Sequence, residues 1–324
     1  MGNSLKIEEF FLNYKKNTLF IITDKNIYEI YENYLKERFK EFKFHLIVIE
    51  PGEQSKTLTV YEKTINELMK KEMKKTDLII AFGGGVVGDL AGFIAGTIFR
   101  GVRFVNIPTT LLSMCDSSIG GKTGIDLTYG KNLLGVYKQP EFVLIDTRYL
   151  ETLKREEYES AMAEVIKVGL IKSKELIDYL LEEKIDNLKM IQMAVKIKKE
   201  IVEEDPYEEN KRMLLNFGHT FGHAIESYHN YEIKHGYSVA KGMDLAIKYG
   251  IKINKTNKEV EVVLNKLYKK FKLEKFTGDS NKYLSKIKHD KKNKDGDLNF
   301  VVIAELGRAK IIKIKEEDLN DLSS

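Results

Sequence analysis

Residues 78–96, LIIAFGGGVVGDLAGFIAG, show how the first half of this 324-residue chain is expected to fold. The isoleucine-rich run DLIIAF (77–82) is followed by three consecutive glycines and then by a helical stretch that contains Gly88. Glycine permits a tight strand-to-helix turn and lets a ligand approach the backbone closely. The stretch therefore predicts a strand, a glycine loop and a helix whose N-terminus could hold a phosphate group.

Similar apolar runs lie on both sides of this unit. They are TLFIIT (18–23), FHLIVIE (44–50), RFVNIP (103–108) and EFVLID (141–146), each of which predicts a strand. Segments 26–40 and 57–75 have helical spacing and separate the first three strands. Alternating strands and helices imply right-handed crossovers and a mostly parallel sheet with helices on its faces.

From about residue 152 the pattern changes to amphipathic or buried helices, with one possible hairpin at 299–314. We therefore expect a Rossmann-like α/β domain at residues 1–151 and a mainly α-helical domain at 152–324. The cleft between two such domains is the expected ligand site.

The composition is that of a globular protein large enough for two domains, with 43% hydrophobic residues. The 53 basic and 49 acidic residues are interspersed, so we expect no nucleic-acid partner. The sequence has neither a membrane-spanning apolar run nor a signal-peptide pattern, so we expect a cytoplasmic protein without a membrane partner. A single cysteine excludes an intramolecular disulfide and a multi-cysteine metal site.

Residues 216–226, NFGHTFGHAIE, place two of the six histidines four residues apart, at His219 and His223. On a helix both imidazoles lie on one face and could point to one metal ion. Thr220 stands where the H-E-x-x-H zinc motif has its glutamate, which excludes that kind of metalloprotease. On the pair alone, the simpler interpretation is a capped helix with hydrogen-bonded core histidines, and a metal site is the alternative.

The glycine loop also has two interpretations. Gly83-x-Gly85-x-x-Gly88 satisfies the dinucleotide-binding pattern, but the same glycines would serve a tight turn that only packs a helix on a strand. The loop follows the third strand rather than the first, and no acidic residue stands about twenty residues later to hold a ribose. Acidic and basic side chains at the same edge of the sheet, in Asp24, Glu53 and Lys56, could hold it instead.

A longer stretch, FRGVRFVNIPTTLLSMCDSSIGGKTGIDLTYGKNLLGVYKQP (99–140), closely resembles the 3-dehydroquinate synthase family of sugar-phosphate cyclases. The motifs FGGGVVGDLAGF, AEVIKVG, NFGHTFGH and HGYSVAKGM extend the resemblance, which runs in order from Asp24 to HDKKNKDG at 289–296. More distantly, the chain is similar to iron-dependent alcohol and glycerol dehydrogenases. The resemblance implies NAD in the α/β domain and one divalent metal, Zn²⁺ or Co²⁺, per subunit.

The same resemblance implies a role for each matching residue. The metal ligands would be Glu164, His219 and His235, and His223 would be a hydrogen-bond partner or proton carrier near the substrate. The residues that match NAD contacts are Asp24, Asn26, Glu53, Gln54, Lys56, Gly84, Gly85, Val86, Val87, Gly88, Asp89, Thr109, Thr110, Lys122, Lys131, Tyr149, Leu150, Glu151 and Thr152. Those that match catalytic and substrate contacts are Lys122, Asp116, Lys167, His223, Asn132, Lys198, Arg212, Asn216, Arg100 and Lys291, with Lys292 as the alternative to Lys291. Without the motif, Lys198 in KIKKE would be an ordinary solvated lysine.

The family's reaction converts 3-deoxy-D-arabino-heptulosonate 7-phosphate into 3-dehydroquinate and phosphate in the shikimate pathway, so the expected partner is a small acidic sugar phosphate. In the family, an arginine that matches Arg100 reaches the phosphate site of the neighbouring subunit, which implies a homodimer. Two alternatives remain: a cyclase whose substrate has no carboxylate, and a metal-dependent polyol dehydrogenase. Against the first stand Lys198, Arg212 and Asn216, which suit an acidic substrate. Against the second stand the GGK and GKN motifs, which supply cations for a phosphate.

Overall fold

The computed structural model describes residues 7–287 and 297–319. The chain divides into two compact units, Met1–Leu153 and Lys154–Ser324, which we call the α/β unit and the helical unit. The α/β unit contains a parallel sheet with helices, and the second unit is mainly helical, as the predicted fold class requires.

Four parallel strands form the sheet of the α/β unit, in the order β2-β1-β3-β4. They are β1 (Leu19–Asp24), β2 (Phe44–Ile49), β3 (Leu78–Gly83) and β4 (Arg103–Pro108). In the register, Ile22 of β1 pairs with Ile47 of β2 and with Ala81 of β3. Every residue of β3 is buried, because helices cover both faces of a parallel sheet.

Three helices connect or follow these strands: α1 (Lys25–Phe39), α2 (Leu58–Lys70) and α3 (Gly85–Thr97). The Asp24 carboxylate caps α1 by accepting a hydrogen bond from the Ile27 N–H, and Thr57 caps α2 in the same way through the Val60 N–H. The apolar side of α3 packs in the core with Phe20, Ile22 and Ile79 of the sheet. This packing places the first turn of α3 at the carboxyl end of β3.

The prediction of a strand at 141–146 is wrong. In the described chain this segment contains only one isolated parallel bridge, between Val143 and Asn106 of β4. The N–H groups of Glu141 and Leu144 do donate to β4 carbonyls, at 2.8 Å and 2.9 Å. The segment therefore lies beside the sheet edge without continuing the ladder.

A hairpin that the sequence did not predict packs against α3. Its strands are β5 (Lys122–Leu127) and β6 (Gly130–Tyr137). The hairpin approaches α3 so closely that a Cβ on Gly92 would lie 2.4 Å from the Thr123 methyl group. A glycine in the middle of α3 thus permits this contact.

The helical unit surrounds a central helix, α4 (Arg155–Lys172), whose residues from Ser160 to Ile171 are all buried. The other helices are α5 (Lys174–Leu181), α6 (Asn187–Glu204), α7 (His219–Tyr228), α8 (His235–Lys252), α9 (Lys258–Phe271) and α10 (Asn281–Ile287). The expected hairpin is present as the antiparallel pair β7 (Leu298–Glu305) and β8 (Arg308–Ile314). Across the two described ranges, no helix combines the length and apolar character needed to cross a membrane.

Candidate metal and dinucleotide sites

Three helices of the helical unit bring Glu164, His219 and His235 together. Glu164 lies in the buried middle of α4, and the two histidines are the first residues of α7 and α8. One Glu164 oxygen, Oε1, lies 3.6 Å from His219 Nε2 and 3.4 Å from His235 Nε2. One ligand atom from each residue lies within 4.8 Å of the others, so the three could hold one metal ion.

Both histidine rings are oriented by contacts at the opposite nitrogen. His219 Nδ1 lies 3.1 Å from the Phe217 carbonyl, and His235 Nδ1 lies 2.9 Å from the Glu226 carboxylate. Such contacts fix the tautomer and orientation of a metal-binding imidazole. Glu226 was missed by the sequence analysis, although its position seven residues after His219 places it two turns along the same side of α7.

Close helix packing explains how the two histidines meet. A Cβ on Gly242 of α8 would lie 2.0 Å from the Gly218 carbonyl oxygen at the start of α7. The backbones of α7 and α8 are therefore in direct contact, and the ring centroids of His219 and His235 are 5.4 Å apart. Only glycine at 242 permits this approach.

The charges of the cluster favour an anionic carboxylate beside a neutral His219. Burial acts to raise the pKa of Glu164, but the Lys167 ammonium, which forms an ion pair with it, and His235 hold that pKa at about 2. Burial and the positive charge of Lys167 hold the pKa of His219 well below its usual value. Burial opposes protonation of His235 too, but the neighbouring Glu164 and Glu226 carboxylates raise its pKa to about 10.

The two oxygens of the buried Glu164 carboxylate have different neighbours. Oε2 forms the ion pair with Lys167, while Oε1 faces the Nε2 atoms of His219 and His235. Within the described residues, neither oxygen makes a hydrogen bond of good geometry, so Oε1 is available to a cation. The donor set of two imidazoles and one carboxylate fits zinc and leaves one coordination position open, as in catalytic sites.

His223 lies beside the three donors and not among them. Its ring centroid is 5.1 Å from that of His219 and 6.3 Å from that of His235. This placement agrees with a role next to the metal, which stays a prediction.

Three expected anion-binding residues of the helical unit lie on α6 and on the turn before α7. Lys198 is only 6% exposed and Arg212 only 3%, so neither is a solvated surface cation.

Hydrogen bonds fix the loop that carries Arg212 and Asn216. The buried Asp205 carboxylate accepts the backbone N–H groups of Arg212, Glu209 and Asn210. Arg212 Nη1 donates to the Pro206 carbonyl at 2.6 Å. Asn216 is held by Glu208, to whose carboxylate its side-chain amide donates at 2.6 Å.

In the α/β unit, the carboxyl ends of three strands form the expected dinucleotide edge. Asp24 ends β1, Gly83 ends β3 and is followed by two more glycines, and Thr109 follows β4. A Cβ on Gly84 or on Gly85 would lie 3.1 Å from a side-chain atom of Thr110 or Ser117, so the loop fits closely around its neighbours.

Unused hydrogen-bonding groups lie at the same edge. Within the described chain, the buried hydroxyls of Thr109 and Ser117 have no hydrogen-bond partner. Burial also raises the pKa of Asp24, against the effect of the Ile27 and Asn26 backbone N–H groups. Polar groups next to a helix N-terminus suit a pyrophosphate and ribose. Val87, in contrast, packs in the apolar core, so only its backbone could contact a dinucleotide.

Lys56 joins several of the expected NAD and substrate residues. Its ammonium is buried, and it lies 2.9 Å from Asp89 Oδ2, 3.2 Å from Glu53 Oε1 and 2.5 Å from Asn132 Oδ1. Burial raises the pKa of Asp89 to about 6, although Lys56 acts in the opposite direction. Asp126 also contacts this group, through the Asn132 N–H, and was missed, because nothing in its local sequence distinguishes it from an ordinary strand residue.

For the remaining expected residues, the structure gives a position in the fold but no shared site. Tyr149 packs edge-on against Phe82 of β3, and Thr152 Oγ1 lies 2.7 Å from the Tyr31 hydroxyl. Asp116 lies in a short π-helical turn, and Lys122 begins β5. Lys291 and Lys292 lie outside the described residues. All of the expected NAD contacts stay predictions, including those of Asn26, Gln54, Val86, Lys131, Leu150 and Glu151.

Solved structures with this fold define a class of cyclases. A 2-deoxy-scyllo-inosose synthase complexed with carbaglucose-6-phosphate, NAD⁺ and Co²⁺ aligns over 98% of this chain and 92% of its own, with 26% identity and a TM-score of 0.85. A 2-epi-5-epi-valiolone synthase from Streptomyces hygroscopicus with NAD⁺ and Zn²⁺ bound aligns over 95% and 90%, with 24% identity and a TM-score of 0.88. An iron-containing alcohol dehydrogenase aligns with a TM-score of 0.62 and 16% identity, which shows a shared fold only. The fold is that of the sugar-phosphate cyclases.

Sequence relatives narrow this class to one family. The models of the 3-dehydroquinate synthase N-terminal and C-terminal regions match residues 46–160 and 161–293. A 3-dehydroquinate synthase of Clostridium beijerinckii is 40% identical and aligns over 97% of this chain and 92% of its own length. Another, from Clostridium perfringens, is 43% identical over 83% of this chain and 80% of its own length. The chain belongs to the 3-dehydroquinate synthase family.

Proposed function

We propose that this protein converts 3-deoxy-D-arabino-heptulosonate 7-phosphate into 3-dehydroquinate and phosphate. The observation that carries the proposal is the cluster of Glu164, His219 and His235, in which both imidazole Nε2 atoms approach one carboxylate oxygen. The choice of this substrate is supported by relatives of about 40% identity that bear the family's name. Because phosphate leaves the substrate by elimination, the reaction is that of a carbon–oxygen lyase.

The proposed cofactors are NAD and one Zn²⁺ or Co²⁺ ion. The structures of the inosose and valiolone synthases contain NAD⁺ with Co²⁺ or Zn²⁺. In this chain, Glu164, His219 and His235 would hold the metal, while Asp24, Lys56 and the glycine loop would hold NAD. When bound, NAD would accept and return a hydride, and the metal would acidify and orient the reacting hydroxyls.

The protein's own side chains would bind and orient an acidic substrate. The Arg212 guanidinium suits a carboxylate or phosphate because its planar fork donates two parallel hydrogen bonds, and the Asp205 turn holds its backbone in place. Lys198 adds a second buried cation in the same unit. Asn216 would supply a polar contact, and His223 would hold or move a proton beside the metal.

Phosphate contacts in the α/β unit would come from Lys122 and Asn132, with Asp116 as a polar contact. The backbone of Asn132 is held in the left-handed region, with φ of +56°, next to the turn of the β5–β6 hairpin. Its side-chain oxygen is oriented by Lys56. Such fixed geometry is what substrate positioning requires.

A homodimer with Arg100 acting across the interface is part of the proposal. Phe99, Arg100 and Gly101 all have positive φ, at +51°, +60° and +112°, which turns the chain sharply at an exposed arginine. The nearby hairpin exposes apolar side chains, including 94% of Tyr129 and 59% of Leu133, which a second copy of the chain would cover.

Subunit mixing tests whether Arg100 acts across the interface. Mixing inactive Arg100→Ala and Lys167→Ala subunits should restore part of the activity through one intact hybrid site. No recovery despite demonstrated subunit exchange would argue for a site built from one chain.

One assay distinguishes the proposed reaction from its alternatives. With the heptulosonate phosphate in large excess over NAD, we expect stoichiometric phosphate release, formation of 3-dehydroquinate and no lasting rise in NADH absorbance. Accumulation of NADH in proportion to substrate loss would indicate a dehydrogenase. Turnover only of a sugar phosphate without a carboxylate would indicate a different cyclase.

A further inference from the structure

A closed ring of hydrogen bonds joins three separate segments of the α/β unit. The Lys56 ammonium donates to the side-chain oxygen of Asn132 at 2.5 Å. The backbone N–H of Asn132 donates to Asp126 Oδ1 at 2.7 Å, and the backbone N–H of Asp126 donates to the Lys56 carbonyl at 2.7 Å. The ring therefore links the loop after β2 to both strands of the β5–β6 hairpin.

We propose that Asp126 is a positioning residue, which holds Asn132 and Lys56 in their ligand-binding geometry without touching the ligand. The inference rests on the proposed function, because NAD and substrate binding by Lys56 and Asn132 belong to that proposal.

The backbone at Asn132 needs such support. Its φ of +56° lies in the left-handed region, which is unfavourable for residues other than glycine although asparagine tolerates it best. Ile125 pairs with Leu134 and Leu127 pairs with Gly130, so Asp126 alone lies opposite residues 131–133, and the bulge is in β6. Bulges re-aim a side chain, and here the Asp126 carboxylate opposite the bulge accepts the N–H of Asn132 within it.

The charges around Lys56 support the same role. Burial raises the pKa of the Asp126 carboxyl, while the Asn132 N–H and the Lys56 ammonium act against that rise and favour the ionised form. Lys56 also contacts Asp89 and Glu53, so its ammonium is fixed from several sides. Removing Asp126 would release the Asn132 backbone and thereby one of the partners that orient Lys56.

The test compares Asp126→Ala with the conservative variant Asp126→Asn in the full chain. The amide introduced by Asp126→Asn keeps an oxygen that can accept the Asn132 N–H, whereas alanine removes the acceptor. Asp77→Ala is the control for the loss of a carboxylate that accepts backbone N–H groups. Asp77 also accepts two backbone N–H groups, from Thr18 and Lys74, but it lies at the opposite end of β3.

Two measurements are made on each protein. Calorimetric titration with NAD should give a dissociation constant about tenfold higher for Asp126→Ala and within about threefold of the unsubstituted protein for Asp126→Asn. Amide hydrogen exchange without NAD should be faster across residues 126–137 in Asp126→Ala alone. Asp77→Ala should lower the melting temperature and leave the NAD dissociation constant unchanged. If Asp126→Ala does not fold, Asp126→Thr replaces it, because threonine suits a strand but lacks the carboxylate.

The outcomes separate this inference from the proposed function. Unchanged exchange at 126–137 in Asp126→Ala would overturn the positioning role, and so would faster exchange with unchanged NAD binding. If the unsubstituted protein does not bind NAD, the proposed function fails, and the ligand-positioning role fails with it. The exchange comparison would still show whether Asp126 holds the turn.

Discussion

The Glu164 cluster of the helical unit and the Lys56 cluster of the α/β unit both bury charge, but they use their donor atoms differently. Lys167 pairs with one oxygen of Glu164, and one ligand atom each from Glu164, His219 and His235 lies within 4.8 Å of the others. Around Lys56, the cation is part of the chain and already lies within 3.2 Å of two carboxylates. The first cluster offers three donor atoms to a cation from solution, whereas the cation of the second is supplied by the chain itself.

The largest expected effect comes from removing a metal ligand. His219→Ala and His235→Ala should each lose bound metal and reduce activity by about 10³-fold, because two remaining ligands give neither affinity nor geometry. Metal content of the purified proteins and turnover of the heptulosonate phosphate measure this. His229→Ala is the control, since His229 follows the last turn of α7 and contacts Tyr283 instead. Full metal content in His219→Ala would refute the assignment.

Replacing the built-in cation, Lys56, should lower stability in addition to weakening the proposed NAD binding. Lys56→Met leaves the half-buried carboxylate of Asp89 without its buried partner and should reduce the free energy of unfolding by about 3 kcal/mol. Adding Asp89→Asn should recover part of the loss. Denaturant unfolding measures both, with Lys36→Met, which breaks an exposed ion pair with Glu32, as a control that leaves the midpoint unchanged. Equal effects of the Lys56 and Lys36 substitutions would remove the distinction between the clusters.

Glu226 should influence metal affinity without binding the metal. Glu226→Gln weakens the acceptor that orients His235 and should reduce metal affinity by about tenfold. Competition with a chromogenic chelator measures the affinity, and activity at saturating metal should largely return. Unchanged affinity would show that the contact with Glu226 does not orient the ring for metal binding.

The smallest expected effect is the release of a proton from His235 when the metal binds. With its pKa raised to about 10, His235 is protonated near neutral pH in the metal-free protein, so metal binding should release about one proton there. For the metal-free fold, this raised pKa contributes stability that is fully present below the ordinary histidine pKa and is lost as pH rises through about 10. Calorimetry of metal binding in buffers of different ionisation enthalpy measures the release. Binding without proton release would contradict the protonated state.

The sequence predicted the four strands that carry continuous apolar runs. The runs at 18–23, 44–50, 77–82 and 103–108 became β1 to β4 with shifts of no more than one residue at either end. The β5–β6 hairpin was missed because β6 is largely exposed and contains two glycines, so it has no apolar run. Segment 141–146 was over-predicted because its apolar residues line a sheet edge without continuing the ladder.

Prediction of the site residues from the sequence was limited in a similar way. Motifs indicated Glu164, His219 and His235, and the structure brings these three residues together. Glu226 and Asp126 act through other residues, and their partners are set by packing between segments that are distant in the chain. Their roles therefore could not be derived from spacing alone.

The glycine contact between α7 and α8 determines how this protein can tolerate mutation. Because a Cβ at position 242 would lie 2.0 Å from a backbone oxygen, even alanine there would force two helices apart. Random mutagenesis should thus recover almost no functional substitutions at Gly242, although it is not one of the metal ligands. Libraries intended to alter the chemistry of this protein would best leave that position untouched and vary the side chains around it.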